Sequence, residues 1–452
     1  MINSGLKQRF LRAAGWTLVG HGLSLVLRLG SSLVLTRLLA PELYGVMAVG
    51  YVIMTGLHMF SDIGLNAGAI RSSRGDDPTF LNVGWVVQIA RGMIVSLAGL
   101  AMAAALKLAG DSSWLPANSV YADSDIPLLV AVVSLSGVIS GFESTKVWSA
   151  KRRLAFATLT KLDVSCQFAS TLFILGWALV SPTIWALAGG AIFTALLKTV
   201  LTHWLLPGPS NRFEWDAPAF FEIIHFGKWV ILSSAFTFLM ANGDRLLLGG
   251  MLDSKSMGFY TTALVLIGAV HGAVANVVGS AVLPALSEMI RVKPADLQKT
   301  IYRIRWPLDL VCLLTAGALV MLGKPIIKLL YDPRYEPTGW MLSVLAMTLI
   351  TTRLNVFDEC LIAVGRIKLL SLLNAIRLVT LYCIVPAGYW LDGVDGAIMA
   401  VAVATLVNAL AVLIMQRRVG LLDTTRELLA LPIFAGGLLV GWAAASLLKL
   451  VL

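Results

Sequence analysis

The chain has 452 residues, 58% of them hydrophobic and only 13% charged, with a mean hydropathy of +0.83 and a formal net charge of +10. An ordinary soluble protein is roughly 25% charged, so this balance excludes a soluble globular domain and describes a polytopic membrane protein. The basic residues collect in short loops on one side, which is a topology signal and not a nucleic-acid patch.

Taken in chain order, apolar runs fall near 15–37, 45–66, 82–108, 126–148, 161–181, 184–205, 224–250, 257–285, 305–330, 338–361, 368–391, 394–416 and 429–451. Each is long enough to cross roughly 30 Å of hydrocarbon as a helix, and the count is about thirteen. The first run follows Lys7, Arg9 and Arg12. It is too long for a signal peptide, lacks a small-residue cleavage site, and has a counterpart later in the chain.

The loops alternate in charge. Arg71 and Arg74 follow the second run, Lys151 to Arg153 the fourth, Arg291, Lys293, Lys299 and Arg303 the eighth. Arg366 and Lys368 follow the tenth, and Arg417, Arg418 and Arg426 the twelfth. The intervening loops carry Asp111, Asp123, Asp125, Asp392 and Asp395. The positive-inside rule then puts the N-terminus in the cytoplasm. The loop bearing Lys324, Lys328 and Arg334 runs against this pattern. No extramembrane domain is expected, because the longest loops, near 109–125, 206–223 and 286–304, stay under about 20 residues.

An internal repeat organises the whole. Leu38 to Gly45 (LLAPELYG) and Met251 to Gly258 (MLDSKSMG) occupy matching places about 213 residues apart. At that offset Trp16 falls on Trp229 and Gly45 on Gly258. Both copies start from the same side if the loop alternation holds, so the repeats are parallel, related by an axis along the membrane normal. The expected division is a six-helix bundle over 1–208, a second over 209–420, and an extra transmembrane segment over 421–452. Duplicated halves of membrane helices mark secondary transporters, which bind substrate between the halves.

Charges inside apolar runs are costly and should face a cavity or a partner. The basic ones are Arg28, Arg91, Lys198, Arg353 and Arg377; the acids are Asp62, Asp163, Asp244, Asp358 and Glu359. Arg28, Arg91 and Arg377 read as cavity-lining or as buried ion-pair members. Lys198 reads as a cavity cation or as a side chain snorkelling to the cytoplasmic surface. Glu143 and Lys146, spaced i,i+3, read as a helix-surface salt bridge. Asp358 and Glu359 read as partners of Arg353 or, with Asp62, as an ion-coupling site. Asp244-Arg245 reads as interfacial.

Gly30, Gly50, Gly56, Gly268, Gly272 and Gly279 suit close helix approach, and Pro41 and Pro284 mark helix ends. The four cysteines, Cys166, Cys312, Cys360 and Cys383, lie in apolar runs without CxxC spacing and read as packing residues. The five histidines are isolated; His21 and His271, in helix interiors, are the two placed to relay protons. No nucleophile–base spacing, phosphate-cradling loop or metal-ligand set is present in the sequence, so neither a catalytic site nor a metal or other cofactor is expected.

Leu35 to Gly45 (LTRLLAPELYG) resembles the first-loop signature of bacterial polysaccharide flippases, L-x-R-L-L-x-P-x-x-[FY]-G. Ser61 to Leu65 followed by Ala67 to Arg71 resembles that family's D-x-G-L-x-x-A-x-I-R stretch. Asp244 to Gly249, Gly258 to Ala263, and Asn355 through Gly365-Arg366 are similar to its second half. The resemblance implies the multidrug/oligosaccharidyl-lipid/polysaccharide (MOP) fold, two six-helix bundles around a central cavity, in a bacterial inner membrane. Members have twelve or fourteen helices.

The resemblance also implies translocation of undecaprenyl-diphosphate-linked oligosaccharide, for O-antigen or exopolysaccharide synthesis, by alternating access. On that reading Arg28, Arg91, Arg353, Arg377 and Lys198 bind the diphosphate headgroup, since guanidinium pairs bidentately with phosphate oxygens. The expected partners are the lipid-linked oligosaccharide, membrane lipids and other polysaccharide-assembly proteins, with no nucleic acid. The alternatives are a drug or small-cation exporter on the same fold, which needs a carboxylate-rich cavity, and a membrane polymerase or ligase, which needs a large external loop.

Overall fold

The computed structural model describes residues 4–293 and 296–451, and all regular structure among them is helical. The side chains of Lys7, Arg9 and Arg12, used above for orientation, lie outside the described residues. The first stretch runs α1 (Ser4–Leu38), α2 (Pro41–Phe60), α3 (Leu65–Arg71), α4 (Pro78–Asp111), α5 (Asp125–Gly141), α6 (Lys146–Arg152), α7 (Phe156–Val180) and α8 (Ile184–Leu205). After an extended linker come α9 (Ala217–Gly249), α10 (Ser254–Val277), a π-helical segment (Val278–Val282), α11 (Leu283–Val292) and α12 (Leu297–Leu330). The chain ends with α13 (Thr338–Leu345), α14 (Leu349–Thr352), α15 (Asn355–Ala363), α16 (Ile367–Val419), α17 (Thr424–Leu428) and α18 (Ala430–Val451).

Local chemistry sets several of these boundaries. Pro41 and Pro78 open α2 and α4, where a missing N–H would be unsatisfied anyway. Asp77 caps α4 by accepting from Thr79 N at 3.1 Å, and Asp216 caps α9 by accepting from Ala219 N at 3.2 Å.

Ten helices are long and apolar enough to cross a membrane, and two bent pairs, α5 with α6 and the two parts of α9, qualify as one span each. One of the ten, α16, is two helices in series. Asp392 and Gly393 leave helical geometry, with Gly393 at φ 57°, a left-handed value that a side chain would strain. The arms fold back so tightly that a Cβ on Gly388 would lie 2.5 Å from the Gly396 carbonyl oxygen. Counting those arms separately brings the total to thirteen spans among the described residues. The chain is an all-α, multi-pass membrane protein. Uncovered Val26, Leu97, Leu179, Leu410 and Leu439 lie along its helices, as expected for surfaces wetted by acyl chains.

Packing divides the chain into one compact unit of residues 1–39 and 46–254, and another of residues 40–45 and 255–452. These units do not follow the repeat boundary at 208/209, because α9 packs within the first. A Cβ on Gly227 would meet Ile63 at 2.7 Å, Phe238 stacks edge-on against Phe60 at 5.4 Å, and Glu222 accepts from Ser72 Oγ at 2.6 Å.

In the first unit α4 and α5 pack through small residues. A Cβ on Gly92 would sit 2.5 Å from the Gly137 carbonyl and 3.0 Å from Gly141 Cα, so the two backbones touch. Ser96 Oγ donates to Ser134 O at 2.6 Å and accepts from Val138 N at 3.0 Å. Close backbone approach and interhelical hydrogen bonds hold helices together where hydrophobic burial offers little gain.

In the second unit α12 and α18 repeat this device. Gly437 and Gly441 lie against Leu314, Gly317 and Ala318, and a Cβ on Gly441 would be 2.7 Å from the Ala318 carbonyl. In the same unit Gly258 lies directly against the Pro41 carbonyl, leaving no room for a side chain, so the two copies of the repeated signature touch there.

Candidate functional site

A cavity of about 420 Å³ opens in the first unit between α4, α5 and α8, with His58 of α2 at its edge. Arg91 and Lys198 both line it, together with Gln88 and Glu143. Two of the cations singled out from the sequence therefore share one cavity inside the apolar part of the chain.

Arg91 is half-buried and has a second task. Its Nη2 donates to His58 O at 2.6 Å, and its Nε donates to Ser61 O at 2.8 Å and Ser61 Oγ at 3.2 Å. These carbonyls end α2 and have no helical donor, so the guanidinium caps the helix. Asp62 stays beside it, turned to accept from Gly64 N at 2.9 Å. The remaining nitrogen, Nη1, has no hydrogen bond among the described residues.

Lys198 is held between two acids. Its Nζ lies 3.2 Å from Asp163 Oδ1 and 3.8 Å from Glu143 Oε1. The Glu143–Lys146 pair expected from i,i+3 spacing is absent, because residues 142–145 are a break and not a helical turn; α5 and α6 meet there at 65°. Lys146 is instead buried and donates to His203 O at 2.7 Å. The break exposes four carbonyls. Gln88 Nε2 reaches those of Ser140, Gly141 and Glu143 at 3.3, 3.0 and 2.9 Å, and Trp85 Nε1 and His203 Nε2 reach that of Phe142 at 3.3 and 2.8 Å. Broken helices of this kind accompany substrate and ion sites in transporters.

Arg28 is exposed on α1, is not among the residues that line this cavity, and its side chain has no partner among the described residues. Of the two interior histidines, His21 has a buried Nε2 without a hydrogen bond among the described residues. His271 lies against Thr352 Oγ1, 2.9 Å from Nδ1.

In the second unit Arg377 forms a two-pronged pair with Asp358, at 2.8 and 3.0 Å, and also donates to Asn374 at 3.2 Å. Asp358 thus serves Arg377 and not Arg353. Glu359 is half-buried and has no ion pair among the described residues.

Arg353 is 5% exposed and belongs to an enclosed cluster. Its Nη1 lies 3.3 Å from Asp309 Oδ1 and its Nη2 3.1 Å from Glu427 Oε2. Arg305, 1% exposed, pairs with the same two carboxylates, at 3.1 Å to Asp309 and 2.5 Å to Glu427. Tyr302 Oη donates to Glu427 at 2.9 Å and accepts from Asp423 N at 2.9 Å. The sequence reading missed this cluster. Its signals were the i,i+4 spacing of Arg305 and Asp309 at the start of an apolar run, and a carboxylate, Glu427, next to Arg426 in a basic loop.

Outside the spans, the linker of residues 206–216 is strapped to the start of α4. Glu214 accepts from Thr79 Oγ1 and Asn82 Nδ2, both at 2.8 Å, and these bonds hold its carboxyl below the usual range. Arg74 donates to Asp77 at 3.0 Å and Asp216 at 3.2 Å, which raises its already high value.

The fold recurs in solved structures. The lipid II flippase MurJ in an inward closed conformation aligns with a TM-score of 0.69 at 12% identity, covering 94% of this chain and 91% of that one. An inward-facing MATE-family multidrug resistance transporter of the MOP superfamily aligns at 0.66 and 11% identity, covering 94% and 95%. At these identities the likeness establishes the fold. Among curated relatives, a Shigella flexneri protein named for O-antigen transport is 20% identical over 404 residues, 87% of this chain and 94% of its own length. The amylovoran biosynthesis protein AmsL of Erwinia amylovora is 23% identical over 226 residues, 48% of this chain and 57% of its own length. The sequence profile of a family described as polysaccharide biosynthesis protein matches residues 34–340, so the chain, with its MOP fold, belongs to that polysaccharide biosynthesis family.

Proposed function

We propose that the protein is a flippase that carries a polyprenyl-diphosphate-linked oligosaccharide across a bacterial inner membrane by alternating access, with its N-terminus in the cytoplasm. The observation that carries this reading is the cavity shared by Arg91 and Lys198. Both cations belong to apolar runs of the chain, where an anion or a partner is needed to offset their desolvation, and this supports the reading. A diphosphate headgroup has the charge and the oxygen geometry to meet them, while the polyprenyl chain stays in lipid. Arg28, exposed and without a partner among the described residues, is a further contact in the first unit. Arg377 is a candidate in the second only if it leaves Asp358. Arg353 is not included, because its cluster encloses it. Glu359 and Asp62 are the acids assigned to ion coupling.

A small-cation exporter on the same fold would need an uncovered carboxylate in the cavity, and Glu143 sits 3.8 Å from Lys198. A polymerase or ligase would need a large extramembrane loop. The test is surface polysaccharide in a deletion strain complemented with variants. Lys198→Ala and Arg91→Ala should each abolish export at unchanged membrane protein level, checked by immunoblot because Arg91 also caps α2. Arg91→Lys should restore part of it, since a point charge cannot grip phosphate bidentately. Full export by both alanine variants would overturn the reading.

A further inference from the structure

We propose that Glu143, set in the break of the α5–α6 span, is an internal anion that competes with the ligand for Lys198. This rests on the reading that the cavity binds a diphosphate.

Placement comes first. Glu143 lies in the break between two helix axes that meet at 65°. The backbone leading up to and through Glu143 is gripped at the carbonyls of Ser140, Gly141, Phe142 and Glu143 by side chains of α4 and α8. What is left free to move is the Glu143 side chain, and it lines the cavity.

Charge comes second. Among the lining residues Arg91 and Lys198 are the permanent cations and Glu143 is the carboxylate. Lys198 lies between two acids. Asp163, 3.2 Å away, is 58% exposed and does not line the cavity; Glu143, 3.8 Å away, is 24% exposed and does. An ammonium has three donors. A phosphate oxygen that enters to reach Lys198 approaches from the side that Glu143 occupies. Two anions a few Å apart in a low-dielectric cavity repel strongly. The carboxylate must therefore give up Lys198 when the ligand takes it.

Direction follows from the same contact. A transporter whose affinity is equal in both states gains nothing from binding. A carboxylate side chain that reclaims Lys198 lowers affinity in the state where it does so and helps to expel the headgroup. Glu143 is thus a positioning residue for release.

The experiment uses purified full-length protein in nanodiscs, with farnesyl diphosphate as the probe and titration calorimetry as the readout. Glu143→Gln, which keeps the shape and removes the charge, should bind about tenfold more tightly, within the usual range for coupled sites. The same variant should export less surface polysaccharide in the complemented strain. Lys198→Ala should bind more weakly, and adding Glu143→Gln to it should tighten binding by clearly less than the same change does in wild type, because the competition for Lys198 is gone and only direct repulsion of the anion remains. Glu143→Ala serves as the second variant should the glutamine form fail to fold. Wild-type protein that binds the probe, with both Glu143 variants equal to it or weaker, overturns this inference alone. Wild-type protein that does not bind the probe overturns the diphosphate reading beneath it as well.

Discussion

Arg353 Nη2 donates to Glu427 Oε2 at 3.1 Å, joining positions 74 residues apart in the chain. The bond ties the turn before α15 to α17, the short helix that leads into α18. Arg305 shares the same carboxylate, so one acid from the C-terminal segment offsets two buried guanidinium groups. The thirteenth span is therefore wired into the second unit by ion pairs as well as by the glycine contacts of α18 with α12.

Removing that acid should be costly. Glu427→Gln leaves Arg305 and Arg353 with Asp309 alone, and breaking a buried pair costs about 3 kcal/mol or more. A lower thermal midpoint of the purified protein is the expected result. The exposed pair of Arg334 with Asp332 is the control. Arg334→Ala should change stability by less than about 1 kcal/mol. Equal shifts in the two variants would show that the buried cluster carries no special stability.

The Arg377–Asp358 pair should behave as a unit. Arg377→Ala strands a largely buried carboxylate and should destabilise by about 3 kcal/mol, whereas Arg377→Gln with Asp358→Asn should recover most of that loss. Thermal unfolding of the single and double variants measures the coupling. Additive losses would mean that the two side chains act independently.

The α4–α5 contact should not tolerate a side chain. Gly92→Val puts atoms into the Gly137 carbonyl and should cost about 1–3 kcal/mol through forced separation of the helices. Gly30, with open space around its Cβ position, should accept alanine without loss. Yield of monodisperse protein after solubilisation compares the two.

Acid should loosen the linker. Glu214 has a carboxyl value lowered by its bonds to Thr79 and Asn82. A depressed folded value contributes stability above the unfolded value of about 4.3, and that contribution is lost as pH falls through the folded value. The advantage of wild type over Glu214→Gln should be full at neutral pH and should shrink as pH drops below about 5. Melting both proteins across this range checks the sign; a gap that widens in acid would refute it.

Much of the architecture was legible from residue order. The thirteen apolar runs correspond to the candidate spans, including the pair on either side of Asp392-Gly393. Pro41 announces the start of α2 through its own backbone restriction. The break after Gly141 was not legible, because residues 126–148 are apolar on average and hydropathy does not register a change of axis; the polar stretch Glu143 to Lys146 that marks it reads equally well as one polar helix turn. Glycines of the α4–α5 contact looked like any others, since what distinguishes Gly92 and Gly137 is the helix opposite.

By itself the sequence determined that this chain is a multi-pass membrane protein with about thirteen apolar runs, and that it carries charges where charges are expensive. These are local properties: transfer free energy adds residue by residue along a helix. Only the tertiary structure decided which charges meet. Arg91 and Lys198 line one cavity, Arg377 takes Asp358, Arg353 takes Asp309 and Glu427, and Glu143 turns from Lys146 to Lys198. Coulomb energy depends on the distance between groups on different helices, and helix packing sets that distance.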